Sequence, residues 1–261
     1  MRTLCLLLLT SVSVLADNGL DFTCLPGEGF EDFTVFCSAD ARASTVAQAI
    51  KDISPSGNDF SSSGSVSMHT TSGPNGGPCL LFNANAEYLY RNNSVQTAQK
   101  RSVALCWVDL TSVPGAGVYA TIFFCGQNTY NDRFRNIVVI PGGYVGVSTR
   151  FGVVNEVATG STALDTSWHF CAGRWDDELF TQREVYIDGA TDGYNGVLVQ
   201  HQANRTSWGY NIRLSPSTQL YAYIATMMIF DSNTSWPSQF DDSGPDEEII
   251  EQLYYVTKYF P

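Results

Sequence analysis

The sequence predicts an all-β fold, an antiparallel two-sheet jelly-roll sandwich with a short C-terminal helix. Three observations predict it. From residue 79 onward the chain breaks into short runs rich in Val, Ile, Phe, Tyr and Trp, each bounded by turn residues. No long helical period separates those runs, which points to antiparallel strands in a sandwich. The chain has 261 residues, 44% of them hydrophobic and 13% aromatic, enough to bury the core of one such domain.

Taken in order, residues 1–16, MRTLCLLLLTSVSVLA, read as a signal peptide: Arg2 is basic, Leu4–Leu9 apolar, and Val14-Leu15-Ala16 a small-residue cleavage site. That apolar run is too short to span a bilayer, no later stretch is long enough either, and the tail TKYFP carries no lipid-anchor signal. A secreted, extracellular protein with no membrane insertion is expected. Residues 17–40 form an N-terminal segment whose Cys24 and Cys37 flank a Pro-Gly-Glu-Gly turn, so a local bridge is expected to close it. Residues 41–53, ARASTVAQAIKDI, place Ala43, Val46, Ala47 and Ile50 on one helical face. The Gly-, Ser-, Asn- and Pro-rich stretch that follows reads as loops around short strands.

The strand candidates are CLLFNANAEYLY, RSVALCWVDL, YATIFFCG, RNIVVI, GYVGVST, WHFCAGRW, REVYIDG, GYNIRLS and LYAYIATMMIF. SGPDEEIIEQLYYV then predicts a helix, capped by Ser243 or Gly244, with Pro245 in its first turn and Asp246, Glu247 and Glu248 at its positive end. With no internal repeat, residues 41–261 constitute one domain.

Composition narrows the function. The formal charge is −12, and loss of Arg2 with the leader makes it −13. A phosphate backbone wants a basic surface, so nucleic acid is not the expected partner, while cations, mineral surfaces and basic proteins fit. Once Cys5 leaves with the leader, Cys24, Cys37, Cys79, Cys106, Cys125 and Cys171 remain. An even number in an oxidising compartment predicts three disulfides, and no C-x-x-C pair or zinc spacing competes. Sequons at Asn92, Asn204 and Asn233 fit a secreted glycoprotein.

The stretch DTSWHFCAGRWDDELFTQREVYIDG, residues 165–189, looks chemical because it joins His169, Cys171, two tryptophans and several acids. Alternation sorts it differently. Trp168, Phe170 and Ala172 share one face of a strand, and His169, Cys171 and Gly173 the other. Val185 and Ile187 point together from a partner strand, and Asp188-Gly189 supplies a hairpin turn. Asp176, Asp177 and Glu178 fall in the connection. The stretch therefore encodes a hairpin, with His169 structural and Cys171 a disulfide partner.

The core W-H-x-x-A-x-x-W-D followed by V-Y-I-D-G resembles the laminin G–like branch of the concanavalin A–like lectin sandwiches. GGPCLLFNANAEYL, RSVALCWVDL and ATMMIFDSNTSWPSQFDDSGPDEEIIEQLY follow the order of that branch over roughly residues 41–258. Within it the pattern is similar to pentraxins. That resemblance implies a Cys106–Cys171 bridge, which leaves Cys79 for Cys125. It also implies a calcium site, but PSTQLYAYIATMM holds no carboxylate where the acidic ligand loop belongs. Asn131-Asp132 would match the remaining pair, too few for a cation that takes six to eight oxygens. No cofactor is therefore expected, the calcium ligand set being incomplete.

Glycan-cleaving enzymes share this sandwich, and retaining hydrolysis needs two flanking carboxyl groups. Glu184 and Asp188 have the spacing, but one starts a strand and the other sits in a turn, and the E-x-D-x-x-E motif is missing. No enzyme is expected. The leading reading is a lectin-like module binding carbohydrate or extracellular matrix components. Its candidate contacts are Tyr130, Asn131, Asp132 and Arg133 before RNIVVI, with Trp208 and Tyr210 beyond the hairpin. The alternative is a structural subunit of a matrix, coat or biomineral layer, self-associating through the strand-forming FEDFTVFC segment at a neighbour's sheet edge.

Overall fold

Two-residue alternation of apolar and polar side chains becomes strand wherever a facing layer can cover the apolar set. The computed structural model holds fifteen strands among the described residues, some alternating in this way and others, such as CLLF and ATIFFCG, buried throughout. The described residues are 33–37, 43–52, 59–84, 86–91, 101–126, 133–151, 154–176, 182–195, 205–208, 220–232 and 250–258 without 252 and 256. In chain order the strands are β1 (Phe33–Cys37), β2 (Ser61–Ser63), β3 (Ser67–His69), β4 (Cys79–Phe82), β5 (Tyr88–Arg91), β6 (Arg101–Leu110), β7 (Ala120–Gly126) and β8 (Arg133–Val139). There follow β9 (Tyr144–Phe151), β10 (Val154–Ala163), β11 (His169–Asp176), β12 (Gln182–Ile187), β13 (Ala190–Asn195), β14 (Arg205–Trp208) and β15 (Ala222–Ser232). A single helical turn, α1 (Val46–Ala49), a 3-10 turn at Pro74–Gly76 and a C-terminal helix within 250–258, α2, accompany the strands.

The strands form two sheets. The first runs β13-β12-β11-β6-β15-β4-β3, with β1 also paired to β15; the second runs β10-β9-β8-β7-β14-β5-β2. Every pairing among them is antiparallel. The predicted all-β sandwich is present, and the sheets meet over one core. Cys106 and Val108 of β6, Trp175 of β11 and Ile229 of β15 face Phe123 of β7, Ile137 of β8 and Val147 of β9. Polar ties cross it too: the Trp175 indole donates to the Ser148 carbonyl, 3.2 Å, and Arg135 donates to Ser102 Oγ, 2.5 Å. These bonds satisfy donors that burial would otherwise strand.

A second apolar layer covers the outer face of the first sheet. Leu105, Trp107, Phe170, Ala172, Tyr186 and Met228 lie there beneath Ile250 and Leu253 of α2. Tyr254 stacks on Trp107, ring centres 5.6 Å apart, and Thr257 Oγ1 accepts the Trp107 indole N–H at 2.8 Å. The helix thus gives the sheet a polar-tied roof.

Several expectations are sharpened. The helix expected over 41–53 is one turn, capped by the Thr45 hydroxyl, and it buries Ala43, Ala49 and Ile50 while Ala47 is exposed. FTVFC pairs with β15 of its own chain rather than standing free for a neighbour. Strands β10, β13 and β14 were not expected, and GYNIRLS, the α2 cap and the 1–16 leader lie outside the described residues. On the open side of the sandwich β10 and β13 are clipped together. Asp192 accepts the Thr162 N–H at 3.0 Å and the hydroxyls of Ser161 and Thr162 at 2.9 and 2.7 Å. Burial pushes the Asp192 carboxyl up, but these donors together outweigh it and hold the group below its ordinary range. Among the described residues no helix is long and apolar enough to cross a membrane.

Candidate functional site

The hairpin of β11 and β12 adopts the expected alternation. Phe170, Ala172 and Tyr186 turn outward, and Cys171, Val185 and Ile187 turn into the core. Asp188 and Gly189 have φ of 52° and 85°, the two positive values that a two-residue hairpin turn requires. Gly189 lies so close to Tyr254 of α2 that a Cβ there would meet the ring at 2.9 Å. Glu184 accepts from Arg174 at 3.0 Å and from the Tyr186 hydroxyl. Asp188 is engaged elsewhere, so the two acids with glycosidase spacing serve different partners.

Four of the described cysteines, Cys79, Cys106, Cys125 and Cys171, are buried thiols. Cys106 and Cys171 stand directly opposite one another on β6 and β11, both facing the inter-sheet core. Cys79 belongs to the outer layer and Cys125 to the inner core, so the first sheet separates them. The pairing of Cys79 with Cys125 is corrected on that ground. Cys37 lies opposite Met227 on the backbone ladder, and Cys24 is outside the described residues.

At the start of β11 the chain builds a polar node. His169 Nδ1 donates to Asp188 Oδ2 at 2.9 Å, and its Nε2 faces Asp165 Oδ1 at 3.2 Å. Asp188 Oδ1 also accepts the Phe170 N–H at 2.9 Å, and Asp165 Oδ1 accepts the Ser167 N–H at 2.8 Å and the Ser167 hydroxyl. The Asp188 hydrogen bond first, then its charge and Asp165, raise the His169 pKa against the opposing effect of burial. The Ser167 hydroxyl first, then His169, lower that of Asp165. Ser167, His169 and Asp188 are the residue types of a hydrolytic triad, and Ser167 Oγ lies 3.3 Å from Nε2. However, a carboxylate only accepts hydrogen bonds, so facing Asp165 makes Nε2 a donor. The Ser167 hydroxyl is itself turned to Asp165 rather than to the ring, and the node acts as a clamp.

Beside the clamp the outer face carries an aromatic patch that the second apolar layer only half covers. Trp168 and Tyr223 rings lie 6.4 Å apart, and His69 meets Tyr223 edge-on at 5.2 Å. The indole N–H donates to the Ser72 carbonyl at 3.1 Å, which sets the plane of Trp168. Asp109 of β6 lies opposite Tyr223 of β15, so the two side chains share this face. Burial first, then Asp165, raise the Asp109 pKa, with His169 opposing. The same carboxylate helps burial push the Cys79 thiol up to about 12.

Of the candidate contacts, Tyr130, Asn131, Asp132 and Tyr210 lie outside the described residues, as do the sequon asparagines Asn92, Asn204 and Asn233. Arg133 opens β8 opposite Phe151, and Trp208 closes β14 between Phe123 and Leu89. These two are in one sheet, whereas Trp168, Tyr223 and Asp109 belong to the other. Asp109 was legible in WVDL as a lone acid ending an apolar strand. Its proximity to Trp168 was not, because it depends on the β6-β11-β15 pairing. Among the described residues no group of three or more His, Cys, Asp or Glu is arranged to hold a metal ion.

No protein-family model and no curated protein matches the chain. Solved structures do. The receptor binding domain of a botulinum neurotoxin C/D mosaic serotype matches with a TM-score of 0.63 at 12% identity, over 86% of this chain and 51% of that one. The serotype G binding domain matches at 0.60 and 13%, over 86% and 51%. The serotype D ligand binding domain, solved in complex with N-acetylneuraminic acid, matches at 0.61 and 12%, over 86% and 51%. The chain spans about half the length of each, and the likeness is one of fold.

Proposed function

We propose that this protein is a secreted, disulfide-bonded, non-catalytic lectin-like module of the concanavalin A–like, laminin G–like type. Its sugar site is the outer-face patch of Trp168, Tyr223 and Asp109. One observation carries the reading: an oriented indole and a phenol, both half-buried, stand beside a carboxylate on a rigid sheet. Aromatic faces take the apolar side of a sugar ring, and a carboxylate takes its hydroxyls. The sandwich likeness to receptor-binding domains supports a recognition role, one of those neighbours having been solved with a bound sugar acid. The clamped His169 and the Arg174-bound Glu184 support the non-catalytic part. The leader and the even set of cysteines support secretion.

A glycan array on the mature chain tests the reading. Trp168→Ala is expected to weaken the best-bound glycan by about thirtyfold, on the order of 2 kcal/mol for a central aromatic contact. Its circular dichroism should match the wild type. Equal glycan affinity in the two proteins removes the site.

A further inference from the structure

We propose that this patch selects amino sugars carrying a protonated amine over acidic sugars, with Asp109 receiving the ammonium. The inference rests on the glycan-binding reading and names the ligand class of the same site. It comes from the charges that converge there. Asp109 lies on the half-buried face beside Tyr223, and no described residue donates a hydrogen bond to its carboxylate. Asp165 is close enough for the two negative charges to repel. The cation of the node, His169, is held between Asp165 and Asp188. Among the described residues Asp165 and His169 are the charges that act on Asp109, and His169 is shared with Asp165 and Asp188. His69 contacts Tyr223 edge-on with its ring. Cys79, whose thiol Asp109 also acts on, stays neutral because burial pushes it up to about 12.

An ammonium entering beside Asp109 meets an acceptor that no described residue supplies with a donor, and it relieves the repulsion from Asp165. Trp168 and Tyr223 add to the selection, because the negative face of an aromatic ring attracts cations. A sugar acid in the same pose would set a third carboxylate against the first two. An uncharged N-acetyl sugar would stack equally well on the rings and gain nothing from the charge. The site therefore ranks the three classes as amine, neutral, acid.

Calorimetry at pH 6 and 150 mM salt tests this on the mature chain with three probes: a glucosamine tetramer, an N-acetylglucosamine tetramer and N-acetylneuraminic acid. The wild type is expected to bind the amine at least about tenfold more tightly than the N-acetyl form, and the acid not measurably. Asp109→Asn should bring the first two within about threefold of each other. Asp192→Asn, which removes a remote acid from the same acidic protein, should leave the preference intact. Equal binding of amine and N-acetyl forms, both lost in Trp168→Ala, overturns the charge selection and leaves the glycan reading standing. Competition by tetralysine as potent as the glucosamine tetramer overturns it as well, because the amine alone would then suffice. Binding of none of the three sugars overturns both.

Discussion

The two faces of the first sheet are built from the same strands and reach opposite ends. On β11, Cys171 and Trp175 enter the closed inter-sheet core, while Phe170 and Ala172 enter the layer beneath α2. The inner face meets another sheet, so it admits few polar groups, and Trp175 and Ser102 are tied across it to Ser148 and Arg135. Among the described residues the outer face meets only a short helix. Where that cover gives way, Trp168, Tyr223, His69 and Asp109 remain half-buried. Half-burial lets an aromatic ring be held in place and still meet a ligand. The inner face therefore holds the fold, and the outer face carries the patch proposed as the sugar site.

The contrast can be broken in four places. Trp175→Ala removes a fully buried side chain and its bond to Ser148, and should cost about 3–5 kcal/mol in urea unfolding. A loss below about 1 kcal/mol would deny the inner face its role. Oxidation of Cys106 with Cys171 should come next, adding about 2–4 kcal/mol. Directly opposed residues stand about 4.5–5.5 Å apart between Cα atoms, a span that a disulfide bridges. Peptide mapping of the non-reduced secreted chain should find that linkage, and recovery of Cys171 as a free thiol rules it out. On the outer face, Tyr254→Ala should cost about 2 kcal/mol by unroofing Trp107 and Phe170. Should it match Trp175→Ala, α2 belongs to the folding core and the two faces are equivalent.

The smallest effect sharpens the comparison through pH. His169 has its folded pKa raised above 6.5, chiefly by the bond to Asp188. Its contribution is thus fully present below pH 6.5 and is lost as pH rises through the higher folded value. The difference in stability between wild type and His169→Gln should be about 1 kcal/mol or less at pH 5.5 and shrink toward pH 9. A gap that widens with rising pH contradicts the clamp.

Much of the architecture was legible in local pattern, and the misses share a cause. CLLF, RSVALCWVDL and WHFCAGRW carry β-branched or aromatic residues dense enough to mark strands unaided. Strand β10, VNEVATGSTA, is mixed with Gly, Ser and Asn, and exists because β9 pairs with it and Asp192 of β13 holds its end. Strand β14, RTSW, is only four residues long and is defined by filling the gap between β5 and β7. The candidate site shows the same division. His169 and Trp168 stood out in their motif, but their roles follow from Asp188, Asp165 and Ser72, which reach them across a turn, a loop and a neighbouring segment.

By itself the sequence determined the antiparallel sandwich, the alternation along β11 and β12, and the Asp188-Gly189 turn. Each follows from residue period and backbone freedom within a few positions. Only the tertiary structure decided which face became core, that Cys79 and Cys125 are divided by a sheet, and that Asp109, Trp168 and Tyr223 form one patch. Those outcomes depend on strand order, and strand order is set by long-range pairing that brings together residues far apart in the chain.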